Sequence, residues 1–227
     1  YPLKGQSMLK IALLSTGEEV LHGDIVDTNA AWLSQQMFEQ GFSICKRSTV
    51  GDEIGSLTEE LVMLSFNSDI VIVNGGLGPT SDDMSAEAAG RASDQPLVLF
   101  DDWFDHMKAF FQKRGKEMPE CNRKQAMLPE RAEIIHNSVG TACGFKLHLN
   151  DCVFYFTPGV PKEFKLMVME KIIPDLKQNY PDVTGLDCSK LYTFGTSESS
   201  LSEKLDKVQL PEGYTIGYRC YLPYIEV

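Results

Sequence analysis

Along the 227-residue chain, short wholly apolar runs alternate with stretches in which apolar residues recur at helical spacing. Ile70 to Val73 is β-branched and uninterrupted, as a strand buried on both faces of a parallel sheet requires, and Lys10 to Thr16 reads as a first buried strand of the same kind. Between them, Thr28 to Gln40 predicts a helix with Ala31, Leu33, Met37 and Phe38 at apolar positions and Gly41 as its C-cap. Ser43 to Val50 predicts a second strand and Glu53 to Phe66 a second helix, leading into the strand at 69–74. Strands alternating with helices in this way predict an α/β fold with a doubly wound, mostly parallel sheet, whose ligands sit at the carboxyl ends of the strands.

A helical pattern follows over Met84 to Ala92, and an amphipathic helix over Asp101 to Arg114 carries Trp103, Phe104, Met107, Phe110 and Phe111, aromatic spacing that reads as core or subunit interface. Pro119 and Asn122 to Gln125 begin a shorter helix. Gly144 to Leu149 and Cys152 to Thr157 predict a β-hairpin about Asn150-Asp151, and Pro158 to Pro161 opens a helix running to about Gln178. Residues 1–7 precede a Met8 that reads as a natural start and are set aside as an appended remnant. The first domain is then 8–178, with a linker rich in turn formers at 179–187 and a small, incomplete α+β unit at 188–227. In that unit a strand (Lys190 to Phe194), a helix (Ser197 to Lys207) and a strand (Tyr214 to Leu222) read as βαβ.

Charge narrows the partners. The chain has 21 basic and 32 acidic residues, net −11, so nothing would release counterions from DNA or RNA, and a small molecule is the expected partner. No window approaches a membrane span. Six cysteines are scattered without a C-x-x-C pair and the four histidines form no cluster, which points to reduced thiols, no zinc and a cytoplasmic protein.

The chemistry concentrates after the strand at 69–74, in Gly75-Gly76-Leu77-Gly78-Pro79-Thr80-Ser81-Asp82-Asp83. The glycines let bare backbone N–H groups approach an anion at a helix N-terminus. Asp82 and Asp83 cannot hold phosphate themselves and make sense if a divalent cation bridges them to it. A plainer reading is a tight turn with the aspartates as caps. Thr16-Gly17-Glu18-Glu19 and Gly51-Asp52-Glu53 lie beyond the other two strands, so Glu18, Glu19, Asp27, Asp52, Asp82 and Asp83 gather around one mouth. Asp52 and Asp83 are positioned to converge on one hard cation, whereas Asp27 reads equally well as the N-cap of its helix. The polar, glycine-rich stretch Asn137 to Gly144 suits gripping a ligand by backbone groups, and no histidine is placed to activate Cys143 within it.

Taken together, Thr16 to Glu19, Asp27-Thr28-Asn29, Gly51-Asp52, Gly75 to Asp83, Asn122 to Ala126, Val139 to Phe145 and Pro158 to Glu163 resemble, in order, the motif set of the CinA (competence/damage-inducible protein) family, and within it the CinA-like subgroup. The first domain is similar to the molybdopterin-binding fold of the MogA and MoaB proteins, and residues from 188 on resemble the start of the family's KH-like middle domain. The resemblance implies hydrolysis of ADP-ribose to AMP and ribose 5-phosphate with a divalent cation (Mg²⁺, Mn²⁺ or Co²⁺), potassium as an auxiliary ion, and a homodimer. It implies substrate contacts from Thr16, Gly17, Glu18, Asp27, Asn29, Gly75, Gly76, Leu77, Gly78, Pro79, Thr80, Asn122, Gln125, Gly140, Thr141, Gly144, Pro158, Gly159 and Glu163. Asp52 and Asp83 would hold the cation with Asp82 behind them, and Lys162 would neutralise the leaving phosphate. The family's nicotinamide-mononucleotide deamidase would lie in a C-terminal domain not contained in this sequence. Ser85, Cys143 and Val160 depart from the Thr, Pro and Pro of many members. Adenylyl transfer to a pterin and non-catalytic nucleotide binding are the alternatives, since fold alone does not decide. No Gly-x-x-Gly loop with basic flanks follows residue 186, which argues against RNA binding by the KH-like part.

Overall fold

The computed structural model describes residues 9–185, 189–211 and 213–227. The expected remnant at 1–7, Met8, residues 186 and 187 of the expected linker, Cys188 and Glu212 lie outside them. The chain divides into two compact units at residues 186 and 187.

The first unit is built on a six-stranded sheet. Its strands are β1 (Ile11–Thr16), β2 (Ile44–Val50), β3 (Ile70–Asn74), β6 (Glu133–Ile135), β7 (Gly144–Leu149) and β8 (Cys152–Thr157), in the order β2-β1-β3-β8-β7-β6. β2, β1, β3 and β8 run parallel, while β7 and β6 are antiparallel additions at one edge. A further two-stranded antiparallel pair joins β4 (Leu97–Leu99) to β5 (Met127–Pro129).

Helices cover both faces of the large sheet, and the period-2 alternation of the strands sorts the core into two layers. Ala12, Leu14, Val71 and Val73 point to the side shared with Leu57, Leu61 and Leu64 of α3 (Ile54–Asn67), the alanines of α4 (Ser85–Ala92), and Trp103 and Met107 of α5 (Asp101–Gln112). Ile11, Leu13, Ile70 and Ile72 point to the other side, against Leu33 and Met37 of α2 (Thr28–Glu39) and the helical run that closes the unit. That run is α6 (Pro161–Met167), one π-helical stretch (Val168–Ile172) and α7 (Ile173–Asn179). Phe164 is fully buried there and meets Trp32 edge-on at 5.9 Å.

From β1 the chain passes to β2 on one side and then to β3 on the other, so the strand order reverses beside β1. The crevice at the carboxyl ends of β1 and β3 is therefore the expected ligand position. A one-turn helix, α1 (Glu18–Leu21), fills the loop directly after β1, where the sequence had suggested only a loop. The short helix expected near Pro119 is a 3₁₀ helix over Glu120–Ala126.

Part of the stretch read as a linker packs on this unit. Tyr180 and Val183 lie against the α2-side core, and a Cβ at Gly41, whose φ is +90°, would stand 2.0 Å from the Thr184 carbonyl oxygen.

The second unit contains β9 (Tyr192–Phe194), α8 (Glu198–Leu205), β10 (Arg219–Tyr221) and β11 (Tyr224–Glu226). The expected βαβ unit is present as β9-α8-β10, whose two strands run parallel to each other, and β11 is inserted between them antiparallel to both, in the order β10-β11-β9. Residues 214–218 are not strand, and the run read as one strand instead turns at Leu222-Pro223, because proline has no N–H to continue a ladder. Among the described residues no helix is long and apolar enough to cross a membrane.

Candidate functional site

A cleft of about 500 Å³ opens at the carboxyl ends of β1 and β3. The loops after β1, β2, β3 and β8 and the start of α2 all reach it. Of the residues expected from the sequence, Thr16, Gly17, Asp27, Asn29, Asp52, Gly75, Gly76, Leu77, Gly78, Pro79, Asp82, Asp83, Gln125, Thr141, Pro158, Gly159 and Glu163 line this one cleft.

Two oxygens stand out among them. Thr16 Oγ1 and Asn29 Oδ1 are buried and have no hydrogen-bond partner among the described residues. Both belong to residues that line the cleft, and an unpaired buried oxygen is costly unless a ligand or water meets it. Asn29 is oriented by its amide, which donates to Gly159 O at 2.8 Å and to Asn74 Oδ1 at 3.3 Å. Asn74 is the first polar side chain after the apolar run of β3, a signal legible in the sequence but not used there.

The loop after β3 has its carbonyls tied back into the protein. Ser85 donates its hydroxyl to Gly75 O at 2.8 Å and its amide to Gly76 O at 3.0 Å. Gln125 Nε2 donates to Leu77 O at 3.2 Å, and Lys124 Nζ donates to Thr80 O. The N–H groups of Gly76, Leu77, Gly78 and Ser81 have no acceptor among the described residues. Gly76 has φ +69° and a Cβ there would stand 2.3 Å from Ser85 Oγ, so glycine is required by both conformation and space.

The acids around the mouth divide by how their oxygens are used. Asp27 caps α2, one oxygen accepting from Ala30 N at 2.8 Å and the other from Ser15 Oγ, so the capping alternative holds for it. Asp52 and Glu18 exchange bonds: Glu18 N donates to Asp52 Oδ2 at 3.1 Å, and Asp52 N donates to Glu18 Oε1 at 3.0 Å. Asp83 Oδ2 accepts from the Thr80 amide at 2.9 Å and from the Thr80 hydroxyl. Asp52 and Asp83 thus each spend one oxygen on the backbone and keep the other uncommitted among the described residues. Asp82 is exposed at the cleft wall. Burial pushes the Asp52 carboxyl up; the Glu18 amide opposes this, and the negative charges of Glu19, Asp82 and Glu18 push it further up.

Several expected residues lie outside the lining set. Gly144 sits buried in β7, where a Cβ would meet Met167 Sδ at 2.4 Å, so its role is packing. Gly140 is likewise buried, with Glu163 against it: a Cβ would fall 2.2 Å from Glu163 Oε2. Asn122 is buried and donates to Gln125 Oε1 at 2.8 Å, acting through Gln125. Thr80 is exposed and serves Asp83, Glu18 serves the Asp52 amide, and Lys162 is an exposed residue of the first turn of α6. Asn137, read from the sequence only as the start of a polar, glycine-rich stretch, donates its amide to Glu163 Oε2 at 2.7 Å and its oxygen accepts from the Val139 and Gly140 amides. The Cys143 thiol is pushed up to about 12 by burial, which removes it as a nucleophile.

The fold is that of a molybdopterin-binding-type domain: a family model described as a probable molybdopterin binding domain matches residues 12–178. The chain belongs to the CinA family. It is 53% identical over 220 residues to a CinA-like protein of Escherichia coli strain SMS-3-5, covering 97% of this chain and 55% of that protein. The same identity and coverage hold for a protein of Escherichia coli K12 named NMN amidohydrolase-like protein YfaY. The chain thus spans about half the length of the curated relatives it matches. Among solved structures, the protein CinA from Thermoplasma acidophilum is 30% identical with a TM-score of 0.67, over 74% of this chain and 99% of that one. The molybdopterin biosynthesis enzyme MoaB from Thermus thermophilus shares the fold, with a TM-score of 0.52 at 17% identity over 80% of this chain and 100% of that one.

Proposed function

We propose that the cleft binds a nucleoside diphosphate sugar, most directly ADP-ribose, and hydrolyses it to AMP and ribose 5-phosphate. The observation that carries this reading is the set of unpaired N–H groups on Gly76, Leu77 and Gly78, in the lining of the cleft with the unpaired oxygens of Thr16 and Asn29. Donors of that kind suit the oxygens of a diphosphate, and the acceptors suit hydroxyl or amino hydrogens of a nucleoside or ribose.

The acids fit a hard cation that arrives with the substrate. The described residues hold no group of three His, Cys, Asp or Glu side chains able to cage a metal. A Mg²⁺-like ion needs only one or two carboxylates when phosphate oxygens and water complete its shell, and Asp52 and Asp83 each offer one free oxygen. When bound, such an ion would neutralise the diphosphate and acidify a coordinated water. The loop N–H groups hold the diphosphate in place while water adds to one phosphorus, the bridging P–O bond breaks and the departing phosphate keeps the electron pair. Lys162, at the first turn of α6, would neutralise the departing phosphate from solvent.

The test is AMP release from ADP-ribose with Mg²⁺, Mn²⁺ or Co²⁺. Asp83→Asn is expected to lower kcat by at least about a hundredfold, the scale for one lost electrostatic partner of a reacting centre; a full rate in that variant sinks the cation assignment. The family match favours a second reading, molybdopterin binding, with adenylyl transfer to the pterin as its catalytic form. An adenylylated product from molybdopterin and ATP would displace the hydrolase. Tight ADP-ribose binding with no AMP released over hours would reduce the site to a binding module. We assign the activity in the name of the Escherichia coli K12 relative to the part of that protein beyond the 55% aligned here.

A further inference from the structure

We infer that Lys124 is a positioning residue that aims the phosphate-binding loop from behind. The inference rests on the anion-binding reading of that loop. A trans peptide is planar and its C=O and N–H point in opposite directions, so a donor that holds one residue's carbonyl decides where the next residue's N–H is aimed. Ser85 holds the carbonyls of Gly75 and Gly76, Gln125 holds that of Leu77, and Lys124 holds that of Thr80. The N–H groups that follow are those of Gly76, Leu77, Gly78 and Ser81, none of which has an acceptor among the described residues; the first three belong to residues that line the cleft.

Ser85 and Gln125 are buried, and their ties need no charge to exclude water. Thr80 is exposed, and its carbonyl accepts from Asp83 N at 3.3 Å as well as from Lys124 Nζ; of the two, the charged donor holds a solvent-exposed carbonyl more firmly. An ammonium makes the stronger, charge-assisted bond at that place. It is delivered by a braced element: Arg123 beside it lies 5.4 Å over the Phe104 ring, and Ala126 O accepts from Phe100 N at 2.9 Å. Thr80 is also held on its N-terminal side, since its amide and hydroxyl both serve Asp83. Lys124 does not line the cleft although its neighbour Gln125 does, and Ser81 lies at the rim between Pro79 and Asp82, which do, so the ammonium acts on the edge of the loop and not on the ligand. Lys124 thereby joins the carboxylate at Asp83 to the loop donors, and fixes both halves of the site relative to one another.

The test is binding of inorganic pyrophosphate, with and without Mg²⁺, by titration calorimetry in the whole chain. Lys124→Met keeps the aliphatic stem and removes the donor; it should weaken binding about tenfold, the scale of one well-aimed donor lost. Lys124→Arg, which can still donate to a carbonyl, should stay within about threefold. Added KCl separates aiming from charge, because the Debye length falls to about 3 Å at 1 M. The ratio of variant to wild-type Kd should persist in high salt if Lys124 aims the loop, and collapse toward one if it acts by charge alone. The Ser81 amide NMR shift should move on adding pyrophosphate to wild type and stay put in Lys124→Met. Unchanged binding in Lys124→Met, or a ratio abolished by salt, overturns this role while leaving the loop reading intact. Wild type that binds no pyrophosphate overturns both. If Lys124→Met does not fold, the Arg variant decides, since loss of binding in a folded Lys124→Arg protein also overturns the inference.

Discussion

Replacing Thr16 with Val should make the ligand-free protein more stable and its ligand binding weaker. Thr16 ends β1, with Val50 of β2 as its neighbour, and is only 7% exposed. Its Oγ1 has no partner among the described residues, and the loop leaves it room only because Gly75 has no side chain: a Cβ there would stand 2.7 Å from that oxygen. An unpaired buried hydroxyl costs about 1–3 kcal/mol, and valine keeps the branched shape that a strand favours while removing the oxygen. At the low end of that range the variant gains about 1 kcal/mol, which corresponds to a rise of about 2–4 °C in Tm for a chain of this size. The same oxygen is then missing when ADP-ribose arrives, and one hydrogen bond lost to it weakens binding by about tenfold, or 1.4 kcal/mol. Scanning calorimetry without ligand gives the first quantity and titration calorimetry with ADP-ribose the second. The two effects have opposite signs, which ordinary damage to a strand end cannot produce. A Tm that falls together with an unchanged affinity would mean that the hydroxyl is satisfied within the protein, and the reasoning would be refuted.

Gly76→Ala places a Cβ at φ +69° against Ser85 Oγ, so the left-handed backbone cost of about 1–2 kcal/mol adds to displacement of the group that holds the Gly75 and Gly76 carbonyls. Its Tm should fall by several degrees and pyrophosphate affinity by more than tenfold, about 1.4 kcal/mol; calorimetry showing full affinity would disprove the loop assignment. His106 packs between Trp103 (4.6 Å, stacked) and His136 (4.7 Å), and burial first, then the charges of His136 and Lys113, hold its protonation below the ordinary value of 6.5. The unfolded chain therefore takes up a proton at a higher pH than the folded one, so this contribution to stability is complete above 6.5 and is lost as the pH falls below it. His106→Phe should flatten the decline of Tm from pH 6.5 to 5; an equally steep decline in the variant would acquit His106.

Much of this architecture was legible in the hydrophobic pattern, for a physical reason. Ile70 to Val73 are buried to the last side chain, so every position of β3 has to be apolar, and a wholly apolar run announces a central parallel strand. In the second unit the strand ending at Leu222 was read too long and β11 was missed, because these strands are only three residues long and β9 and β10 are largely exposed, which leaves no alternation to detect. Leu222-Pro223 looked like a strand end and is the turn of a hairpin. β4 and β6 escaped for the same reason, with three residues each and only partial burial.

The site was legible in composition but not in direction. Asp27, Asp52 and Asp83 follow strands or precede helices, and those positions call for a carboxylate whether it caps a backbone or holds a cation. Only the structure separates Asp27, with both oxygens committed, from Asp52 and Asp83, with one each. The loop poses the same problem in stronger form. Gly75 to Gly78 announce that N–H groups can approach an anion, but glycine permits many orientations and selects none. Selection comes from Ser85 for the Gly75 and Gly76 carbonyls, and for those of Leu77 and Thr80 from Gln125 and Lys124, which lie 48 and 44 residues away. A motif read as a local cradle is thus half of one, and the other half is the 3₁₀ helix over Glu120–Ala126 that turns its peptides toward the cleft.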